Sequence, residues 1–219
     1  MKKSRIAVLS ILLILCLLAF SSCTTTARWQ NKYNDTNGEN VDTIANNPSA
    51  KYIVYAALNA SGEFIPASGE GSSAAVAAYA VVGYTGLVAE LTIPSTYVGT
   101  NIDASAHNVT QVAVCDSNGT GYAAYKLSMN GAAYTGNYNS LVNNTVVTSI
   151  VFGTNVTKVA AGACAGMTNL KSITFEASGN VVLGDSAFAA TPSLVTVTGS
   201  WTSAANATPF FGSGYTPAP

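Results

Sequence analysis

A short segment of alternating apolar and polar residues recurs in the second half of the chain at a nearly constant interval. Ile150, Ile173 and Val197 hold the same place in three successive copies and are almost evenly spaced. A second segment keeps the same interval, because Ala163-Cys164 precedes Ala187-Phe188 by one such step. One unit of this size cannot bury its own apolar side, so consecutive units have to stack on each other. The spacing therefore predicts a stack of repeats, each with one short strand and one compact return segment.

Five segments fit the strand part of this pattern. They are residues 90–94, 109–114, 147–152, 170–175 and, more weakly, 194–199. The return segments 161–170 and 185–194 match each other, and residues 102–108 look like a shortened copy of them. We expect the strands to form a narrow parallel sheet whose alternate side chains point inward.

The inward side chains follow from the alternation. They are Val112, Val114, Ile150, Phe152, Ile173 and Phe175. Phe188, together with Leu170 and Leu194, is expected to fill the space behind the sheet. Burial of one such Phe contributes roughly 1.5–3 kcal/mol relative to exposure.

Residues 83–107 (GYTGLVAELTIPSTYVGTNIDASAH) resemble the opening repeat of the BspA-type, or treponemal, leucine-rich repeats. In that family a YTG…LTIPSTYNG stretch leads into IG..AF, and the repeat motif is AF…L..I.(I/F). This motif is matched by Ala187, Phe188, Leu194 and Val197, and again by Ala163, Leu170, Ile173 and Phe175. The resemblance covers residues 83–199, about half of the chain. It implies a mainly β protein with short irregular or helical returns, folded as a short leucine-rich-repeat solenoid.

Two features depart from the family pattern. His107 and Cys164 stand where Phe is usual, and residues 115–146 interrupt the repeats with an insertion rich in Gly, Asn and Tyr. A short stack also needs covered ends. We assign residues 51–82 to a β N-terminal cap and residues 200–219 to a C-terminal cap or tail.

The N-terminal cap contains its own strand signals. Residues 52–58 and 77–84 are apolar strand candidates, and residues 63–66 could return as a partner after the Asn-Ala-Ser-Gly turn at 59–62.

Residues 1–22 have the pattern of a cleaved signal peptide. Lys2, Lys3 and Arg5 precede an apolar stretch, Ile6 to Phe20, that is shorter than the roughly 20 residues of a membrane-spanning helix. Phe20-Ser21-Ser22-Cys23 then resembles a bacterial lipobox, although Phe20 replaces the usual Leu. The resemblance implies cleavage before Cys23 and a membrane anchor through acyl groups on that cysteine. Ordinary secretion with an unmodified Cys23 and an uncleaved anchor remain as alternatives.

Composition restricts the partners of the exported part. Residues 23–50 are polar and Asn-rich, which is typical of a flexible tether between the lipid and a domain. Charged residues make up 9% of the chain, against roughly 25% in an average soluble protein. Beyond Cys23 there are six Lys and Arg and ten Asp and Glu, so the net charge is near −4 and nucleic acid is not an expected partner. Cys115 and Cys164 could form a disulfide in an oxidising compartment or could be two small buried apolar residues.

The sequence offers little for catalysis, and we expect no cofactor and no metal. His107 is the single histidine. Residues 69–74 match the dinucleotide-binding pattern GxGxxA, but an exported chain meets no cytosolic cofactor. Residues 116–121 look like half of a calcium loop, yet Leu127 stands where that loop requires Glu.

The insertion carries the best recognition candidates. Tyr122, Tyr125, Tyr134 and Tyr138 lie among Gly, Ser and Asn, and tyrosines on loops bind partners with large contact area at low entropic cost. The alternative is that these rings only cover the repeat stack.

These observations together predict a non-catalytic, lipid-anchored protein of the cell envelope, at the outer membrane or the cell surface. Its repeat module would bind an unidentified protein or glycan, as in adhesion. The alternative is a structural envelope protein without a soluble ligand. An enzyme is disfavoured.

Overall fold

A computed structural model of the chain describes residues 47–115, 124–136, 140–203 and 211. Within these residues it contains thirteen β-strands, no α-helix and a 3-10 turn at Ala50–Tyr52. The strands are β1 (Ile53–Leu58), β2 (Ala78–Tyr84), β3 (Glu90–Ile93), β4 (Thr96–Tyr97), β5 (His107–Val112), β6 (Leu127–Met129), β7 (Ala132–Ala133), β8 (Ser149–Phe152), β9 (Lys158–Val159), β10 (Ser172–Phe175), β11 (Val181–Leu183), β12 (Thr196–Thr198) and β13 (Trp201–Ser203). The prediction of a mainly β protein is confirmed.

A four-stranded parallel sheet contains four of the five predicted repeat strands. Its order is β12-β10-β8-β3, so strands that are neighbours in the repeat are neighbours in space. Leu91, Ile150, Ile173 and Val197 lie opposite one another across the four strands. The first three are buried and Val197 is half-buried at the edge. The repeat interval in the sequence therefore corresponds to the steps from β8 to β10 and from β10 to β12.

The fifth predicted strand lies elsewhere, and this corrects the sequence prediction. Strand β5 belongs to a second sheet, where it pairs in parallel with β2 and with β9. Val112 consequently faces Val159 and not Ile150. The alternation of apolar residues in 109–114 shows that a strand buries one face, but it does not specify which neighbour accepts the hydrogen bonds of the backbone.

Each repeat thus supplies one strand to each of two sheets. Strands β9, β11 and β13 follow β8, β10 and β12 along the chain and pair in parallel with one another, as β5 pairs with β9. The second sheet has the order β13-β11-β9-β5-β2-β1-β6-β7, with β4 paired to β5, and neither sheet closes on itself. Strands β1, β6 and β7 are antiparallel to their neighbours.

The cap strands predicted over 52–58 and 77–84 are present as β1 and β2, which pair over their whole length. The predicted return strand at 63–66 is reduced to two single bridges, Leu58 with Phe64 and Pro66 with Tyr125.

The return segments contribute buried apolar side chains that pack against the repeat strands. Cys164 and Phe188 are fully buried at equivalent positions, with Leu170 and Leu194 beside them.

The structure corrects the assignment of His107 to this position, because His107 begins β5 and retains 19% exposure of its side chain. Leu141, one repeat interval before Cys164, occupies the equivalent place. The turn after it repeats too, since Asn143, Gly166 and Ala190 all have positive φ values of 60°, 72° and 54°.

Of the six side chains predicted to point inward, five are buried and Val114 is half-buried. Together with the returns they form an inner apolar cluster between the two sheets. Strand β1 is buried on both faces, because its alternate residues also join an outer cluster. The outer cluster consists of Val54, Ala56, Leu58, Ala80, Val82, Ala113, Cys115 and Leu127.

The side chains of Asn47 and Ser49 form hydrogen bonds with the backbone of β3, the strand at one edge of the four-stranded sheet. The Asn47 amide donates to the Thr92 carbonyl at 3.0 Å, and the Thr92 N–H donates to Ser49 Oγ at 3.0 Å. Ser49 Oγ in turn donates to Asn47 Oδ1 at 2.7 Å. The edge strand β3 therefore has partners for its backbone groups, which prevents pairing with another chain at this point.

Candidate binding site

Two of the predicted recognition tyrosines flank one β-hairpin. Tyr125 lies just before β6, and Tyr134 directly follows β7. The hairpin turns at Asn130-Gly131, where φ is 50° and 76°, a conformation that favours Asn and Gly. This Asn-Gly pair is a hairpin signal inside the insertion that the sequence prediction missed. The hairpin places the two tyrosines close together at its open end.

The hairpin is fixed to the cap by buried hydrogen bonds. Ser128 of β6 lies opposite Tyr55 of β1. The hydroxyl groups of Ser128 and Tyr97 are 2.7 Å apart, and the Gly131 N–H donates to the Tyr97 hydroxyl at 2.7 Å. The Tyr97 ring stacks on Tyr55 with centroids 3.7 Å apart. These contacts hold the hairpin, and with it Tyr125 and Tyr134, in one position on the sheet.

Both tyrosine rings are half-buried and pack against the outer cluster. The Tyr125 ring lies 5.2 Å from the Phe64 ring at 51°. Burial raises the pKa of Tyr134 above its ordinary value. The rings therefore cover part of the outer cluster, the role that the sequence left open as an alternative to recognition. Part of each residue remains exposed.

Tyr125 and Tyr134 also line the same cavity, of about 390 Å³. Its other walls come from the loop after Gly99, from β6 and from the residues around the hairpin. They are Ala67, Asn101, Ile102, Lys126, Leu127, Ala133 and Thr135. The volume lies within the range of small-molecule sites, roughly 300–1,000 Å³. The residues around the cavity include two tyrosines, one asparagine, one threonine and one lysine.

The backbone around the cavity is well anchored. The Lys126 N–H donates to the Ile65 carbonyl at 2.9 Å, and the Lys126 carbonyl accepts from the Ala57 N–H at 3.0 Å. The Asn101 amide donates to the Leu127 carbonyl at 3.1 Å. The walls of the cavity are therefore set by the cap and hairpin together.

Three predicted site residues lie outside the described residues. They are Tyr122, Tyr138 and the lipid-attachment residue Cys23. The proposed calcium half-loop at 116–121 lies outside them as well.

A second, larger cavity of about 610 Å³ was not anticipated from the sequence. It lies between the loop 84–87 and the return segment 140–146, with Val114 at its base. The walls that the structure describes contain no charged side chain, and one of their amide oxygens is used within the protein. Asn144 Oδ1 accepts from the N–H groups of Val146 and Val147 at 2.9 and 3.0 Å.

His107 forms a local contact with an aspartate. Its Nε2 lies 3.0 Å from Asp103 Oδ2. The backbone N–H of Ser105 and the His107 ring lower the pKa of Asp103 below its usual range. The segment 69–74 forms turns and is followed by extended chain and strand β2, so the helix that a dinucleotide-binding GxGxxA requires does not follow it.

Cys115 and Cys164 are both buried, and no disulfide joins them. Burial raises the pKa of the Cys164 thiol far above its ordinary value, so it is not a nucleophile at neutral pH.

Metal ligands and membrane spans were sought among the residues that the structure describes. No group of three His, Cys, Asp or Glu side chains is arranged to hold a metal ion there. No helix in that part of the chain has the length and apolar character needed to cross a membrane.

Comparison with known proteins gives partial similarities. No protein-family model matches the chain, and no curated protein is similar to it. A crystal structure of a leucine rich cell surface protein from Faecalibacterium prausnitzii A2-165 is 18% identical over 56% of this chain and 28% of its own, with a TM-score of 0.36. The pneumococcal vaccine antigen PcpA is 15% identical over 58% of this chain and 32% of its own, with a TM-score of 0.25. The chain spans less than a third of either protein.

Proposed function

We propose that this chain is a non-catalytic, lipid-anchored protein of the cell envelope that displays a short leucine-rich-repeat solenoid for binding a protein or a glycan. The observation that carries the proposal is the agreement between sequence period and sheet register. Ile150, Ile173 and Val197, each one repeat interval from the next, occupy equivalent places in adjacent strands. Stacked repeats of this kind provide extended rigid surfaces, which serve binding more often than catalysis.

The anchor in this proposal is an acylated Cys23. It is supported by the charged start, the short apolar stretch and the Phe20-Ser21-Ser22-Cys23 sequence. Two or more acyl chains hold a protein firmly to a membrane, because each buried methylene contributes about 0.8 kcal/mol.

Mass spectrometry of the mature N-terminus after detergent extraction tests the anchor. We expect an N-terminal Cys23 carrying acyl groups, and a Cys23→Ser variant that is no longer acylated. An N-terminal peptide with an unmodified Cys23 thiol would contradict the anchor. Protease treatment of intact cells then separates display at the cell surface from a position facing the periplasm.

The binding part of the proposal centres on Tyr125 and Tyr134. Deleting the whole insertion is a poor test, because β6 pairs with β1 and Leu141 is buried in the inner cluster. Single substitutions at the two tyrosines leave these contacts in place and are the cleaner test.

A structural envelope protein is the second candidate. Among the described residues, β12 and β13 each have one strand neighbour and lie at the same end of the two sheets. Free strand edges favour assembly with another chain. Cross-linking of intact cells that joins residues of β12 or β13 to another envelope protein, without a soluble ligand, would favour this function.

A further inference from the structure

We propose that the open edge of strand β12 is a self-association surface, along which two copies of this chain pair antiparallel about a two-fold axis. The partner is a second copy of the chain, so the inference is independent of the tyrosine site and of the acyl anchor. Three observations support it: the backbone groups of β12, the absence of charged residues around them, and the blocked opposite edge of the same sheet.

The backbone of β12 presents hydrogen-bonding groups on its open side. The Thr196 N–H donates to the Lys171 carbonyl, just before β10, at 3.2 Å. Successive residues of a strand direct their backbone groups to opposite sides, so those of Val197 point away from β10. Among the described residues no further strand pairs with β12 there. Unpaired N–H and C=O groups along a sheet edge form a template for another strand.

The chain around this edge carries no charged side chain. Residues 186–219 contain no Asp, Glu, Lys, Arg or His, whereas the preceding part of the repeats contains Lys158, Lys171, Glu176 and Asp185. Many proteins protect an edge strand with lysine, proline or a bulge, and β12 has none of these. Charged residues are also depleted at the centres of protein interfaces. Two identical edges of this kind meet without like-charge repulsion.

Apolar side chains are partly uncovered at this end of the repeats. In the row that crosses the four-stranded sheet, Leu91, Ile150 and Ile173 are buried, whereas Val197 is half-buried. Val195, just before β12, is 67% exposed. A strand placed against β12 would cover Val197 as β12 covers Ile173, and the removal of apolar surface from water favours association.

The opposite edge of the sheet is blocked, which selects the arrangement of the copies. Asn47 accounts for the carbonyl of Thr92 in β3, and Ser49 accounts for its N–H. Head-to-tail stacking of β12 on the β3 of another copy would have to break these hydrogen bonds. The remaining arrangement joins two β12 edges, and it closes after two copies because both use the same surface.

Native mass spectrometry of the mature full chain, released from detergent micelles, measures the stoichiometry directly. Sedimentation in density-matched detergent measures how the stoichiometry depends on protein concentration. We expect a dimer that contains no other protein and whose fraction rises with concentration.

Variants then locate the interface. Val197→Pro removes the N–H that faces the open edge and keeps the hydrogen bonds to β10, because proline is tolerated on edge strands. We expect dimerisation at least about 10-fold weaker. Thr196→Lys places one charge in each copy close to the two-fold axis and should also weaken the dimer, more strongly at low salt than at high salt.

Thr168→Lys is the matched control, because it adds the same charge at an exposed threonine in a return segment. It should leave the dimer intact. Circular dichroism spectra that match the parent establish that each variant is folded.

Four results would overturn the inference. The first is a parent chain that stays monomeric at the highest soluble concentration, and the second is a dimer that Val197→Pro and Thr196→Lys both leave unchanged. Filaments would replace the two-fold pair by head-to-tail stacking. A complex of one copy with a different envelope protein would assign the edge to a foreign strand. Acylation of Cys23 and ligand binding at the tyrosines are measured separately, so the proposed function does not depend on this outcome.

Discussion

The Gly131 backbone N–H donates a hydrogen bond to the Tyr97 hydroxyl at 2.7 Å, which joins the β6–β7 turn to strand β4. The same hydroxyl lies 2.7 Å from Ser128 Oγ. One phenol therefore connects the first repeat to the insertion that carries the candidate site.

Tyr97→Phe should destabilise the protein by about 1–3 kcal/mol, because the buried Gly131 N–H and the Ser128 hydroxyl lose a partner. Chemical denaturation measures the change. Tyr52→Phe, at a half-buried ring outside this network, is the matched control and should change stability by less than about 0.5 kcal/mol. Equal stability of the Tyr97 variant and the parent would contradict the role of this contact.

Phe188→Ala should cost about 3–5 kcal/mol, since the ring is fully buried against Phe152 and stacks on Phe211 at 5.6 Å. Phe188→Asp should abolish cooperative unfolding altogether, because it buries a charge between the sheets. Val195→Ala, at a side chain that is 67% exposed in the same repeat, is the control. A melting curve of Phe188→Asp within a degree or two of the parent would refute the stacking of the repeats.

Ser49→Ala should destabilise the protein by about 1–3 kcal/mol, because the Thr92 N–H at the edge of the sheet loses its acceptor. The substitution also exposes this edge to pairing, so we expect more aggregation at high concentration. Ser72→Ala, which removes a hydroxyl that donates to Gly69 in an exposed turn, should have neither effect. Light scattering and denaturation together measure the two consequences.

The Asp103–His107 pair should make stability depend on pH in the acid range. The pKa of Asp103 is lower in the folded protein than in the unfolded chain, through the Ser105 N–H and then His107. Its contribution is therefore present above the unfolded pKa and is lost as the pH falls through the folded pKa. Asp103→Asn should flatten the loss of stability below about pH 4, by a small amount because 32% of the Asp103 side chain is in contact with solvent. Glu70→Gln, which removes a carboxylate that takes no part in the Asp103–His107 contact, should not reproduce the flattening.

The thiols of Cys115 and Cys164 should resist alkylation in the folded protein, because both are buried and burial raises the pKa of Cys164. Peptide mass spectrometry after iodoacetamide treatment should find neither thiol modified until denaturant is added. Rapid labelling of Cys164 under native conditions would show that the return segments are not packed as described.

The positions of strands could be predicted from the sequence where burial makes apolar residues recur at a regular spacing. The repeat strands β3, β8, β10 and β12 and the cap strands β1 and β2 were found in this way, because an alternating or continuous apolar run is a local property. The site could be predicted only in part. The Tyr-rich insertion indicated recognition, but the meeting of Tyr125 and Tyr134 with Lys126 and Asn101 depends on how the hairpin docks on the cap.

The sequence by itself determined the repeat interval and the buried faces of the strands, since each depends on residues that are close together or regularly spaced. The tertiary structure decided which sheet each strand joins. Val112 and Ile150 belong to similar segments, yet Val112 pairs with Val159 because β5 is the second strand of its unit. The tertiary structure also decided that Leu141, and not His107, occupies the position equivalent to Cys164 and Phe188 in an earlier unit. Hydrogen bonds between distant strands select one register among several that local alternation allows equally.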